Sequence, residues 1–193
     1  MKIEKPLFCK WPIGLRFEIG PDEIELCDEY FSIALQRAVS IFESVFSCGD
    51  EIEIIYQQYS DGRKKIRKGN FIYKQVAIKS KEQIQHSDVR DIYELDYKSE
   101  CWKRLIFSRL TLEDINYENI LLSLINTDFS LRKPSMLGEC FFINRTKNII
   151  LNLYDDRGMD VISATKESLA SLYKSKSDWI LSYDRKKIDS VFS

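Results

Sequence analysis

Histidine, glycine and long apolar runs are scarce in this chain of 193 residues, and their scarcity excludes several kinds of protein. The only histidine, His86, makes a Ser/His/Asp triad improbable, and no HExxH pattern is present. Seven glycines form no phosphate-binding loop of the GxGxxG or GxxxxGK[ST] type. No apolar run approaches the ~18 residues of a membrane span, and the first residues lack the apolar core of a secretion signal. We therefore expect no membrane anchor, no catalytic residue and no cofactor.

The cysteines indicate a reducing compartment. Five are present and none forms a CxxC pair: Cys9, Cys27, Cys48, Cys101 and Cys140. An odd, scattered set in a chain without a secretion signal is typical of reduced thiols and not of a disulfide framework. The expected location is the cytoplasm.

The charge is nearly balanced overall, at −1, but it is unevenly distributed. Residues 1–62 carry twelve acidic and five basic side chains, and residues 63–81 carry eight basic and no acidic ones. Such blocks create long-range potentials that steer partners, although two solvated faces of opposite sign would give the same count. The carboxylates expected to face a partner lie in one band and at the following turn: Glu18, Asp22, Glu23, Glu25, Asp28, Glu29, Asp50 and Glu51.

Hydrophobic periodicity predicts an α+β fold in a single domain over residues 1–193. Strands are predicted at 13–19, 51–59, 102–110, 139–144, 148–154 and 159–164. Helices are predicted from a capping box at Asp22 to about residue 46, and at 111–125, 166–174 and 179–192. Short polar loops between the last three strands indicate an antiparallel meander. The expected architecture is an antiparallel sheet of about five to six strands with helices packed mainly on one face.

Residues 63–99 interrupt this pattern as a long, highly charged excursion, with short elements near 71–78 and 92–97. A structureless segment of this length is unusual unless it is functional or mobile, and its order is left open. Basic residues with Phe71 and Tyr73 between them could contact phosphates. A pI near 6.0 and the acidic first third of the chain make nucleic acid an unfavoured partner.

The hairpin Tyr154–Val161 offers two interpretations. Asp155, Asp156 and Asp160 are spaced closely enough to hold Mg²⁺ or Ca²⁺. Alternatively, an aspartate bonds the turn's own backbone, Gly158 supplies a positive φ, and Arg157 acts as an internal counter-ion. We favour the turn interpretation and expect no metal.

Three stretches resemble a bacterial family labelled domain of unknown function 3885: residues 11–18, 154–161 and 179–189. The likeness spans nearly the whole chain and is weakest in the excursion. It implies family membership but no activity, since the family has none assigned. The motif positions, structural or functional, are Trp11, Arg16, Glu18, Asp155, Asp156, Arg157, Gly158, Asp160, Trp179, Tyr183, Asp184 and Arg185.

The preferred functional hypothesis is a non-enzymatic immunity or antitoxin-type protein that neutralises a bacterial toxin domain, in particular a basic nuclease, through its acidic band. The alternative is a metal-dependent phosphodiesterase or nuclease that uses the hairpin carboxylates. A homo-oligomeric interaction module is a third option, and the oligomeric state stays open.

Overall fold

A seven-stranded antiparallel sheet organises the computed structural model, which describes residues 3–59, 66–90 and 101–193. The strands are β1 (Gly14–Glu18), β2 (Ile52–Tyr59), β3 (Ile84–Arg90), β4 (Cys101–Leu110), β5 (Glu139–Asn144), β6 (Ile149–Leu153) and β7 (Gly158–Ser163). Their order across the sheet is β1-β7-β6-β5-β2-β4-β3, and every neighbouring pair is antiparallel. The α+β class and the β5–β7 meander are therefore confirmed.

Five α-helices accompany the sheet in the described part of the chain. They are α1 (Leu7–Lys10), α2 (Asp28–Val45), α3 (Tyr117–Ile125), α4 (Glu167–Ser175) and α5 (Arg185–Phe192). Both α2 and α3 contact β6, and α4 contacts β1 and β7. Short 3₁₀ turns occur at Phe71–Lys74, Lys81–Gln83, Leu112–Asp114, Ser177–Trp179 and Ser182–Asp184.

The main core lies between the sheet and α2. Ala34, Ala38, Ile41 and Phe42 are fully buried on one side of this helix, at the spacing of an amphipathic stripe. The Phe42 ring stacks on Phe46 with centroids 4.3 Å apart. Alternate residues of the strands face this helix, so the sequence periodicity translates directly into a buried layer.

A second apolar cluster lies on the opposite face of the sheet. It contains Ile55, Phe141, Ile143, Ile150 and Ile162, with Leu7 of α1 packed against them. The N-terminal segment thus covers part of the face that α2 leaves free. For this reason the meander strands β6 and β7 are buried on both faces, including their polar residues Asn152 and Asp160.

Strand β3, which the sequence did not predict, lies in the segment expected to be an excursion. β3 pairs with β4 along its length, from Ile84 opposite Phe107 to Arg90 opposite Cys101. Its residues 85–88 are exposed and polar, including His86, so the strand has no buried periodicity to reveal it. His86 is therefore a strand residue and not a loop residue. The element expected near 92–97 lies outside the described residues.

Three helices start later than predicted. Helix α2 begins at Asp28 and not at Asp22, because residues 22–27 contribute almost no buried apolar surface and the first buried pair is Tyr30 and Phe31. Helix α3 begins at Tyr117 and not at residue 111, and α5 at Arg185 and not at residue 179, because separate 3₁₀ turns precede both.

None of the helices in the described ranges combines the length and the apolar composition that a membrane crossing requires.

Candidate functional site

Arg16 on β1 lies directly opposite Asp160 on β7, on the sheet face away from α2. Its Nε and Nη2 atoms donate to the two carboxylate oxygens of Asp160 at 2.8 and 3.2 Å. Its Nη1 donates to Oδ2 of Asp184 at 3.3 Å. One guanidinium thus joins two carboxylates whose side chains are only 4% and 11% exposed. The bond to Asp160 holds the pKa of Arg16 above its usual range, although burial opposes this.

Asp160 has further donors. It accepts from the backbone N–H of Phe8 at 3.2 Å and from the Tyr154 hydroxyl at 3.3 Å. Burial, and the negative charge of Asp160, raise the pKa of Tyr154. A carboxylate with this many partners is a structural centre that ties β1, β7 and α1 together, and no lone pair is left for a hard metal ion.

The other hairpin aspartates point to different places. Asp155 accepts from the backbone N–H groups of Arg157 and Gly158 at 2.8 and 3.1 Å, and from the Arg157 guanidinium at 2.8 Å. The positive φ expected at Gly158 is wrong: this glycine is the first residue of β7, and a Cβ there would meet the Tyr154 ring. Asp156 is buried and accepts from the Tyr30 hydroxyl on α2 at 2.7 Å. Within residues 3–59, 66–90 and 101–193, no three Cys, His, Asp or Glu side chains converge as metal ligands. The three carboxylates required by the metal-dependent alternative are therefore separated, each with its own protein partner.

The third motif stretch closes the open edge of β1. The backbone N–H of Leu181 donates to the Arg16 carbonyl at 2.9 Å, and Ile180 forms a β-bridge with Phe17. Arg185 donates to the Ser177 carbonyl at 2.6 Å and so fixes the turn before α5. Tyr183, however, is 89% exposed, so it takes no part in this packing.

Trp11, in the first motif stretch, packs against the apolar cluster on the far face of the sheet. Its Nε1 atom is buried without a hydrogen-bond partner among the described residues. The three motif stretches thus meet at one side of the sheet, around Arg16 and Asp160.

A model of the family described as domain of unknown function (DUF3885) matches residues 1–184. The chain belongs to this family. A curated relative, the "Uncharacterized protein YnaE" of Bacillus subtilis strain 168, is 29% identical over 195 residues, which span 92% of this chain and 90% of that protein. No solved structure matches the chain. The resemblance proposed from the three motif stretches is confirmed, and their contacts now explain much of what holds this DUF3885 fold together.

The predicted acidic band is divided by helix α2. The carboxylates from Glu18 to Glu29 lie before or at the start of this helix, whereas Asp50 and Glu51 follow its end. A helix of 18 residues is about 27 Å long, so the two groups are at opposite ends of that length. Asp50 is only 6% exposed, and its carboxylate contacts Lys147 Nζ at 2.8 Å. Asp50 therefore stabilises the turn before β2 and does not face a partner, and Glu51 lies too far away to join the other carboxylates.

Two exposed apolar residues that the charge pattern did not reveal lie on the segments that meet at the start of α2, where these carboxylates are. Leu26 is 62% exposed and Leu131 is 97% exposed. The loop that carries Leu131 is held to α2, because Arg132 donates to Asp28 at 2.9 Å and its guanidinium lies 3.8 Å from the Phe31 ring centroid. We call this region the α2 N-terminal surface, defined by Asp22, Glu23, Glu25, Leu26, Glu29 and Leu131.

Glu18 borders this surface and differs from its neighbours. Burial and the adjacent Asp22 carboxylate raise its pKa, whereas the positive charge of Arg37 lowers it. The two neighbouring carboxylates repel each other, so the ionised form of Glu18 lowers the stability of the folded protein.

Proposed function

We propose that this protein is a non-enzymatic binding protein of the immunity type, which neutralises a basic bacterial toxin domain through the α2 N-terminal surface. The observation that carries the proposal is the pairing of two exposed leucines, Leu26 and Leu131, with four exposed carboxylates in one region. An apolar centre with a charged rim is the usual composition of a specific protein interface.

The electrostatics favour a cationic partner. Asp22, Glu23, Glu25 and Glu29 make no ion pair among the described residues, so no protein cation neutralises them by direct contact. Charges of this kind accelerate association with a partner of opposite sign and reject partners of the same sign. A nuclease domain carries a basic groove that binds the phosphate backbone of its nucleic acid substrate, and such a groove is complementary to this acidic surface.

The internal contacts support binding and not catalysis. Asp155, Asp156 and Asp160 are each engaged by their own protein donors, and Arg16 is held between two carboxylates. A rigid scaffold with its exposed carboxylates on one surface suits a protein that binds without rearranging.

The test is binding and inhibition of a basic nuclease domain encoded next to this protein in its own genome. Calorimetry should give one-to-one binding, and the association rate should fall as salt is raised. The charge reversal E25K/E29K should weaken binding at least about 30-fold, because it reverses two rim charges of like sign.

The matched control is E113K/E118K, which reverses two exposed carboxylates before and in α3. This region lies by the second half of α2, where the Tyr117 hydroxyl donates to Glu43 at 2.9 Å. Equal affinity of the two double variants for the nuclease would contradict the proposed surface. Undiminished nuclease activity in the presence of saturating wild-type protein would contradict the proposed function.

A further inference from the structure

A surface pocket of about 390 Å³ lies between α2 and the 3₁₀ turn that carries Trp179. Its walls are formed by Ile33, Gln36, Arg37, Ser40 and Trp179. The four α2 residues are spaced i, i+3, i+4 and i+7, so they project from one side of the helix. The volume is within the range of small-molecule pockets.

Two cations flank the indole in this pocket. The Arg37 guanidinium lies 5.7 Å from the Trp179 ring centroid, and Lys176 Nζ lies 4.7 Å from it. Lys176 Nζ also donates to Ser40 Oγ at 2.6 Å, and Arg37 Nη1 donates to the Glu18 carbonyl at 3.4 Å. Aromatic contacts hold the cations in place but do not cancel their charge.

Neither cation has a carboxylate within ion-pair distance in the described part of the chain, and the Glu18 carboxylate acts on Arg37 only from farther away. The half-buried Arg16, Arg132 and Arg185, by contrast, each contact an aspartate. The pocket therefore has two cations beside it that no carboxylate contacts directly.

We propose that this pocket binds a phosphate monoester with a small apolar or aromatic body. Three donor groups lie in the pocket or at its rim: the Arg37 guanidinium, the Ser40 hydroxyl and the Lys176 ammonium, which contacts Ser40 and the indole. The Gln36 amide also lines the pocket, although its nitrogen donates to Ser32 Oγ at 3.5 Å. A phosphate offers three oxygens and nearly two negative charges, which this set can satisfy, whereas a carboxylate would leave donors without acceptors. Ile33 and the indole provide the apolar wall for the body of the ligand.

This site is independent of the proposed toxin-binding role. It uses the middle of α2, whereas the α2 N-terminal surface uses its first turn and the preceding loop. The E25K/E29K variant should therefore bind the phosphate ester as the wild type does.

The experiment is calorimetric titration at low salt with phenyl phosphate, benzoate and inorganic phosphate. Phenyl phosphate should bind with a dissociation constant of about 1 mM or below, which is typical of a ligand of this size. Inorganic phosphate lacks the phenyl ring, and benzoate has two anionic oxygens where the phosphate has three. Each should bind at least about fivefold more weakly than phenyl phosphate.

Variants assign the site. K176Q and R37Q should each weaken the binding of phenyl phosphate at least about tenfold, because each removes one of the two positive charges. The control K174Q, at an exposed lysine of α4, should change the affinity for phenyl phosphate less than about twofold. In NMR spectra, the indole N–H resonance that W179F removes should shift on titration, and circular dichroism should show that each variant is folded.

Three results would overturn the proposal. Phenyl phosphate without measurable heat or resonance shift at about 10 mM would exclude the site. Equal binding by K176Q, R37Q and wild type would place the ligand elsewhere. Benzoate binding as tightly as phenyl phosphate would contradict the assignment to phosphate.

Discussion

Replacing Arg16 by methionine should be among the most damaging single substitutions in this protein. The change leaves Asp160 and Asp184 buried, with side chains 4% and 11% exposed, without the cation between them. Methionine keeps an unbranched apolar stem, so the packing over the Phe8 ring is largely retained and the charge is what is lost. Breaking a buried ion pair by removing one partner typically costs about 3–5 kcal/mol.

We expect the lower end of that range, about 3 kcal/mol in the free energy of unfolding, because the Arg16 side chain is itself 20% exposed. For a chain of this size that corresponds to a fall in Tm of about 6–12 °C. Urea denaturation measures the free energy of unfolding and a thermal scan measures Tm, both monitored by circular dichroism.

The matched control is R157M. Arg157 also contacts an aspartate at 2.8 Å, but its side chain is 75% exposed, so its loss should cost no more than about 1 kcal/mol. A double-mutant cycle of R16M with D160N should give a coupling energy of about 2 kcal/mol. If R16M costs no more than R157M, or if the two changes in the cycle are simply additive, the reasoning is refuted.

Three further predictions concern buried or repelling acids. Tyr30→Phe removes the donor to the buried Asp156 carboxylate and should lower the free energy of unfolding by about 1–3 kcal/mol in urea; no measurable change would mean that another donor replaces the hydroxyl. Because burial and Asp22 raise the pKa of Glu18, ionised Glu18 destabilises the fold at neutral pH, so E18Q should be more stable than wild type at pH 7 and this advantage should shrink as the pH falls through the Glu18 pKa. Burial raises the pKa of Asp50, but its hydrogen bonds lower it by more, so D50N should be less stable than wild type at pH 7, with a gap that closes in acid; a gap independent of pH would contradict this assignment.

The chain's own sequence determined the layer structure of the fold. Alternation in residues 13–19, and the apolar-rich segments of β5, β6 and β7 separated by short polar loops, predicted strands buried on one or both faces. The stripe of Ala34, Ala38 and Phe42 required a helix packed on the sheet. These features depend on short-range periodicity, which a sequence states directly. The motif stretches likewise sufficed to place the chain in its family.

Tertiary structure decided which polar residues meet. Arg16 and Asp160 are 144 positions apart in the chain, and only the pairing of β1 with β7 brings them opposite each other. The same is true of the Asp156 carboxylate and the Tyr30 hydroxyl, which are 126 positions apart. From sequence spacing alone the hairpin aspartates look like a cluster. The sequence does not show that Asp156 and Asp160 bind partners from distant elements.

The candidate binding surfaces were also a matter of tertiary structure. Charge counting identified the carboxylates from Glu18 to Glu29 but could not show that Asp50 is buried, nor that Leu131 comes from a distant loop to the start of α2. The Trp179 pocket requires side chains from α2 and from the C-terminal turns to approach each other. β3 was missed because its exposed polar residues carry no burial pattern and its place is set by hydrogen bonds to β4. Periodicity therefore determines what is buried in this protein, and the packing of distant segments decides what is gathered at its surface.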